Sequence, residues 1–220
     1  FLVVCSICTE SNSDKYSLCK HSDEYIDSHS FLPFEAVPPS SFVDMAGRRR
    51  DCEPLVNIVN VNVLDNPTVA TNPFQFEIIF ESYVDLEQGK LQFLAMTRLD
   101  LEWRMTYIGD YRTTERDQLL ESVLVGPVTR GTHKFCFQVF ENWMYWMIYR
   151  NAPDFSLVPE DCILGMTIVF ITCYYRSREF IRIGYYVSNT CESHLMDVSG
   201  IQREILASQP RVTHTPICWE

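Results

Sequence analysis

From Val56 onward, apolar and polar residues alternate with a period of two. That is the spacing of a strand with one buried face. In "PFQFEIIFESY" (73–83), Phe74, Phe76, Ile78 and Phe80 fall on one side and Gln75, Glu77, Ile79 and Glu81 on the other. In "LEWRMTYIG" (101–109), Leu101, Trp103, Met105 and Tyr107 oppose Glu102, Arg104, Thr106 and Ile108. "VNIVNVNVLDNP" (56–67) is a strand run closed by Asp-Asn-Pro turn chemistry. "HKFCFQVF" (133–140), "LGMTIVFITCYY" (164–175), "EFIRIGYYV" (179–187) and "RVTHTPICW" (211–219) predict further strands. One helix is predicted over "QREILAS" (202–208), and a short turn within "TTERDQLLES" (113–122). Many short strands separated by turns predict an all-β fold, an antiparallel β-sandwich.

Two strands do not divide into a wet face and a dry one. "GMTIVFITC" puts Met166, Ile168 and Phe170 on one side and Thr167, Val169 and Ile171 on the other. It reads either as a central strand covered on both faces or as a strand with one apolar patch offered to a protein partner. "EFIRIGYYV" puts Ile181, Ile183, Tyr185 and Val187 on one side; the other carries Phe180, Arg182, Gly184 and Tyr186, which is neither plain core nor plain surface.

Residues 1–55 lack this periodicity. They are rich in Ser, Asp, Glu and Pro and read as a disordered or artefactual N-terminal extension to a folded unit over 56–220. Cys5, Cys8, Cys19 and His21 are zinc-ligand types without a second well-spaced pair, so no metal is expected. The chain has 220 residues, 46% apolar and 13% aromatic, enough for a core. Its formal charge of −11 favours basic partners over nucleic acid or anionic lipid. Nine irregularly spaced cysteines and the lack of an Asn-x-Ser/Thr site read as an intracellular, reduced protein.

No phosphate loop, dinucleotide fingerprint, zinc-protease helix or nucleophile elbow is present. The five histidines are isolated from one another, and Cys136 within its strand reads as a packed thiol. The chain is therefore expected to be a binding protein rather than an enzyme, and to need no cofactor.

Six blocks occur in order along the chain: "VLDNP" (63–67), "NPFQFEI" (72–78), "DLEW" (100–103), "DQLLESVLVGPV" (117–128), "EFIRIGYYV" (179–187) and "ILASQPRVT" (205–213), followed by "CWE". Together they resemble the anti-silencing-function family of histone H3–H4 chaperones. The resemblance implies an immunoglobulin-like β-sandwich with short helices in its loops. It also implies a nuclear monomer that binds the H3–H4 heterodimer and passes it to chromatin assembly factors, with no direct contact to nucleic acid or membrane. Ile108, Asp117, Met166, Ile168, Phe170, Arg182 and Tyr186 match the family's contacts to histone H3, and Gly184 leaves room beside the rings. Pro210, Arg211, Val212 and Thr213 match the strand that pairs with the tail end of histone H4. Tyr185 either lines the H4 pocket or packs in the core. Asp100, Glu102, Glu121, Val123, Val125, Pro127 and Phe135 match the surface for peptides of the histone-regulator and chromatin-assembly-factor types.

The sequence departs from the family at two insertions, about 89–98 and 141–150, the second unusually apolar for a loop. On the histone side, Arg112 stands where the family often has an acid and Cys162 where it has an aspartate. The alternatives are a generic immunoglobulin-like interaction or scaffold domain, or a decayed family copy without histone binding. Limited proteolysis of the full chain should trim residues 1–50 first and leave a resistant core over 56–220; a resistant fragment from within 1–50 would contradict the domain assignment.

Overall fold

The computed structural model describes residues 3–5, 54–86, 101–137, 152–191 and 198–219. Most of the N-terminal segment, including Cys8, Cys19 and His21, lies outside the described residues, as do Asp100 and both insertions.

The strands are β1 (Val3–Cys5), β2 (Val56–Leu64), β3 (Thr68–Val69), β4 (Gln75–Ser82), β5 (Leu101–Tyr107), β6 (Gln118–Val125), β7 (Gly131–Phe137), β8 (Gly165–Tyr175), β9 (Arg178–Cys191), β10 (Ile201–Ile205) and β11 (Arg211–His214). They form two sheets. The larger has the order β1-β6-β5-β8-β9-β10-β3, with β11 also on β9; the smaller is β2-β4-β7. Every pairing is antiparallel except β1 with β6. The fold is an all-β sandwich with only short helical turns, at Thr114–Arg116, Phe155–Leu157, Glu160–Ile163 and Val198–Gly200 among the described residues.

Alternation sets the core. On β4, Phe76, Ile78 and Phe80 are fully buried; on β5, Leu101, Trp103, Met105 and Tyr107 are. The aromatic rings meet between the sheets. Trp103 lies 5.6 Å from Phe80 and 5.2 Å from Phe135, and Phe76 lies 5.6 Å from Tyr185, centroid to centroid. Each such side chain removes enough apolar area from water to contribute about 1.5–3 kcal/mol. The β8–β9 hairpin turns at Arg176 and Ser177, both at positive φ (48° and 63°). Two such residues give a turn whose twist matches the strands it joins.

The structure corrects two expectations. The helix expected over "QREILAS" is strand β10. Ile201, Arg203 and Ile205 are buried while Gln202 and Glu204 are exposed, so the period is two. Helix-forming side chains are overruled by pairing with β9 and β3. Arg203 disguised the pattern, because its charge sits inside. Its guanidinium donates to the carbonyls of Asn72 (2.7 Å) and Pro73 (3.1 Å) and lies 3.9 Å over the Phe74 ring. Burial pulls its pKa down to about 10. The second correction is that "TTERDQLLES" holds more than a turn. After the helical turn at Thr114–Arg116 the chain enters β6 at Gln118. A register shift between Met105 and Thr106 opposite β6 breaks the simple alternation.

Trp103→Ala should cost about 3–5 kcal/mol of stability, since it empties the centre of the aromatic layer. Denaturant unfolding followed by circular dichroism reads this directly, and a loss below about 1 kcal/mol would contradict the packing described.

Candidate functional site

Strand β8 runs between β5 and β9, so its two faces meet different surroundings. Val169, Ile171, Cys173 and Tyr175 point inward and are buried. Met166, Ile168, Phe170, Thr172 and Tyr174 point outward. Met166 is 56% exposed, while Ile168 and Phe170 are partly exposed. Among the described residues no second layer covers this outer face, so of the two readings of "GMTIVFITC" the uncovered patch is the one observed.

Register aligns the outer face across the sheet. Leu119 of β6 lies opposite Thr106, Thr106 opposite Phe170, Phe170 opposite Gly184, and Gly184 opposite Arg211. Next to this row, Ile168 lies opposite Tyr186. Ile108 closes the row beyond β5: its N–H donates to the Ile168 carbonyl (3.0 Å), and the Thr167 hydroxyl donates to the Ile108 carbonyl (2.6 Å). Gly184 makes room here. A Cβ at this position would stand 3.0 Å from Phe170 Cε1, so the bare backbone is what lets the ring lie across β9. Arg182 lies 5.2 Å over the same ring and forks onto Glu179 at 2.7 and 2.8 Å. This pairing holds the Glu179 carboxyl below its ordinary range.

Asp117 sits where the turn at Thr114–Arg116 feeds β6. Its Oδ1 is buried with no hydrogen-bond partner. Desolvation pushes the carboxyl above its ordinary value of 3.8. A buried acceptor without a donor is unfavourable until something supplies one.

On β11, Arg211 and Thr213 face outward, with Thr213 opposite Arg182, while Val212 packs against the core. Pro210 leads into the strand and is partly exposed. No described strand pairs with the outer edge of β11. Tyr185 is 1% exposed, packed on Phe76, with its phenol pushed up by burial. Of its two readings, core packing is the one observed.

The set expected to receive assembly-factor peptides is not brought together as a surface. Val123 (3% exposed), Val125 (0%) and Phe135 (3%) belong to the core, because alternation on β6 and β7 turns them toward the facing sheet. Glu102, Glu121 and Pro127 remain accessible. Glu102 accepts from Arg104 (2.8 Å) and from the Ser122 hydroxyl (2.8 Å). The edge of β6 is itself occupied, with Val3–Cys5 pairing in parallel with Val123–Val125. Sequence reasoning also passed over Leu119 (59% exposed) and Leu164 (38%). The sequence predicts only a short turn across Leu119 and Leu120, so the outward leucine of β6 was not singled out.

A family model described as "ASF1 like histone chaperone" matches residues 53–220. The chain is 45% identical to the histone chaperone asf1b of Xenopus tropicalis over 173 residues, covering 75% of this chain and 76% of that protein. It is 43% identical to the histone chaperone ASF1B of Bos taurus, with 75% of each chain covered. It is 41% identical to the histone chaperone asf1 of Drosophila melanogaster, covering 75% of this chain and 69% of that protein. The chain belongs to the ASF1-like histone chaperone family. Histone binding and chromatin assembly go with that family, and within this ASF1-like fold the outer face of β5, β8 and β9 leaves Met166, Ile168 and Phe170 at least partly exposed.

Asp117→Asn tests the orphaned carboxylate. The native carboxyl titrates above its ordinary value, so the native state holds the proton more tightly than the unfolded chain does, and the charged form costs stability once pH exceeds the native value. The variant should melt higher than wild type at neutral pH. The difference should vanish as pH falls below about 3.8. Equal melting temperatures at neutral pH would show that Asp117 already has a donor.

Proposed function

We propose that this chain binds the histone H3–H4 heterodimer on the outer face of its larger sheet and hands it to chromatin assembly factors in the nucleus. It acts as a monomeric binding protein, without cofactor and without catalysis. The observation that carries this reading is the uncovered column Met166–Ile168–Phe170, in a strand whose other face is fully committed to the core. An apolar centre with aromatic Tyr186 and guanidinium Arg182 beside it has the composition of a binding hot spot. The formal charge of −11 suits a basic partner and speeds its approach. Asp117 brings a buried acceptor that a lysine or arginine of the partner would satisfy.

The H4 contact is a strand added to the outer edge of β11, with Arg211 and Thr213 presented on the same face as Arg182. Handover uses the β6 side of the sheet, where Glu102 and Glu121 provide acid and Pro127 is exposed; Asp100, expected to act with them, lies outside the described residues. A peptide strand entering there displaces β1, since β1 holds the hydrogen-bonding row at Val123–Val125.

Ile168→Arg tests the face. A long cation at the centre of an apolar contact, opposite a basic partner, removes a hot spot and buries an unpaired charge, about 3 kcal/mol or more. H3–H4 affinity should fall by about a hundredfold or more. The melting temperature should stay near wild type, because the side chain points away from the core. Calorimetric titration and a thermal melt on the same sample decide it: normal melting with wild-type affinity would remove histones from this face, and an unfolded variant would return Ile168 to the core.

A further inference from the structure

At one corner of the outer face, two loops meet through a single side chain. The loop after β5 carries Asp110 and Arg112, two and four residues beyond Ile108. The helical turn Glu160–Ile163, just before β8, carries Asp161 and Cys162. Arg112 Nε donates to Asp110 Oδ1 at 2.8 Å and Nη2 to Oδ2 at 3.2 Å. From the same guanidinium, Nη1 donates to Asp161 Oδ2 at 2.9 Å and Nη2 to Oδ1 at 3.3 Å. The Cys162 sulfur lies 3.4 Å from Nη2. Both sides of the planar fork are therefore engaged, each by one carboxylate, which is the geometry a guanidinium recognises best. Asp110 is anchored further by the backbone N–H of Arg112 at 3.0 Å. The corner adjoins the apolar column, since Ile108 is hydrogen-bonded to Ile168 and Thr167.

We propose that Arg112 is a specificity-determining residue of the histone face: by forking onto Asp110 and Asp161 it withdraws both carboxylates from a basic partner. This rests on the histone-binding reading above. The corner holds two acids at the spacing that grips one arginine, and the chain supplies that arginine itself. A lysine or arginine of the partner arriving here meets a guanidinium already in place. The adjoining apolar column then carries the affinity, and the acidic charge of the chain acts elsewhere on the face. In agreement, the paired guanidinium holds the Asp110 carboxyl below its ordinary range.

Arg112→Gln, alone and combined with Asp161→Asn, separates this role from that of a mere loop staple. Arg112→Gln should bind H3–H4 about two- to fivefold tighter at low salt, the worth of one exposed ion pair. The gain should shrink as salt is raised, and the double variant should return to wild-type affinity. Unchanged or weaker binding by Arg112→Gln, beside a wild type that binds, would overturn the proposal. A second readout needs no histone. Guanidinium chloride, kept well short of unfolding and matched against sodium chloride of equal ionic strength, should move the carboxyl resonances of Asp110 and Asp161 in Arg112→Gln and leave them still in wild type. The same response in both proteins would overturn the proposal. If wild type fails to bind H3–H4, the histone reading falls, and the guanidinium titration alone decides whether Arg112 fills an acceptor site.

Discussion

The packing of the small sheet β2-β4-β7 onto the inner face of β5, β8 and β9 holds the rest of the structure in place. Phe76, Ile78 and Phe80 from one side and Trp103, Met105, Ile171 and Tyr185 from the other close the interior without solvent access. Because successive side chains on a strand point to opposite faces, a fully committed inner face fixes the direction of every outer one. Ile168 is outward because Val169 is inward. A one-residue slip of β8 would exchange them, turning Met166 and Ile168 inward and exposing Val169 and Ile171. The core is therefore what specifies the open face, although it makes no contact there.

That arrangement gives one strand a packed face and an open apolar one. The inner residues of β8 stabilise the sandwich, and the outer ones leave an apolar column that the fold does not need. Gly184 and Arg182 tune the column rather than the core. The glycine opens a place for the Phe170 ring, and the guanidinium lies over that ring while forking onto Glu179. Charge is distributed in the same spirit. Asp117 is desolvated and unpaired, whereas Asp110 and Asp161 are already satisfied by Arg112. Acids near one apolar patch thus differ in what they can offer a cation: Asp117 has an unpartnered oxygen, and Asp110 and Asp161 share one guanidinium.

The sandwich was legible in the sequence wherever alternation was strict, as in β4 and β5. It failed where a charge went inside or a register shifted. Arg203 is a charged residue in a core position, made tolerable by two carbonyls and the Phe74 face, so β10 looked like a polar helix. In β6, beside a register shift, only a short turn was expected. For the site, the grouping of Met166, Ile168 and Phe170 was readable from spacing, but both faces of β8 are apolar, so spacing alone did not say which one was open. Val123, Val125 and Phe135 show the reverse error: motif position placed them on a surface, and strand direction places them in the core.

The central claim is that partner recognition uses the outer face of β8 and not the inner one. Methyl-resolved NMR of the full chain, with and without unlabelled H3–H4 dimer, measures this on neighbouring residues of one strand. Methyl resonances of Met166, Ile168 and Ile108 should shift strongly on binding, while those of Ile171, Ile58 and Ile78 stay within the small changes that follow any complex. Shifts centred on Ile58 and Ile78, or spread equally between Ile168 and Ile171, would contradict the account.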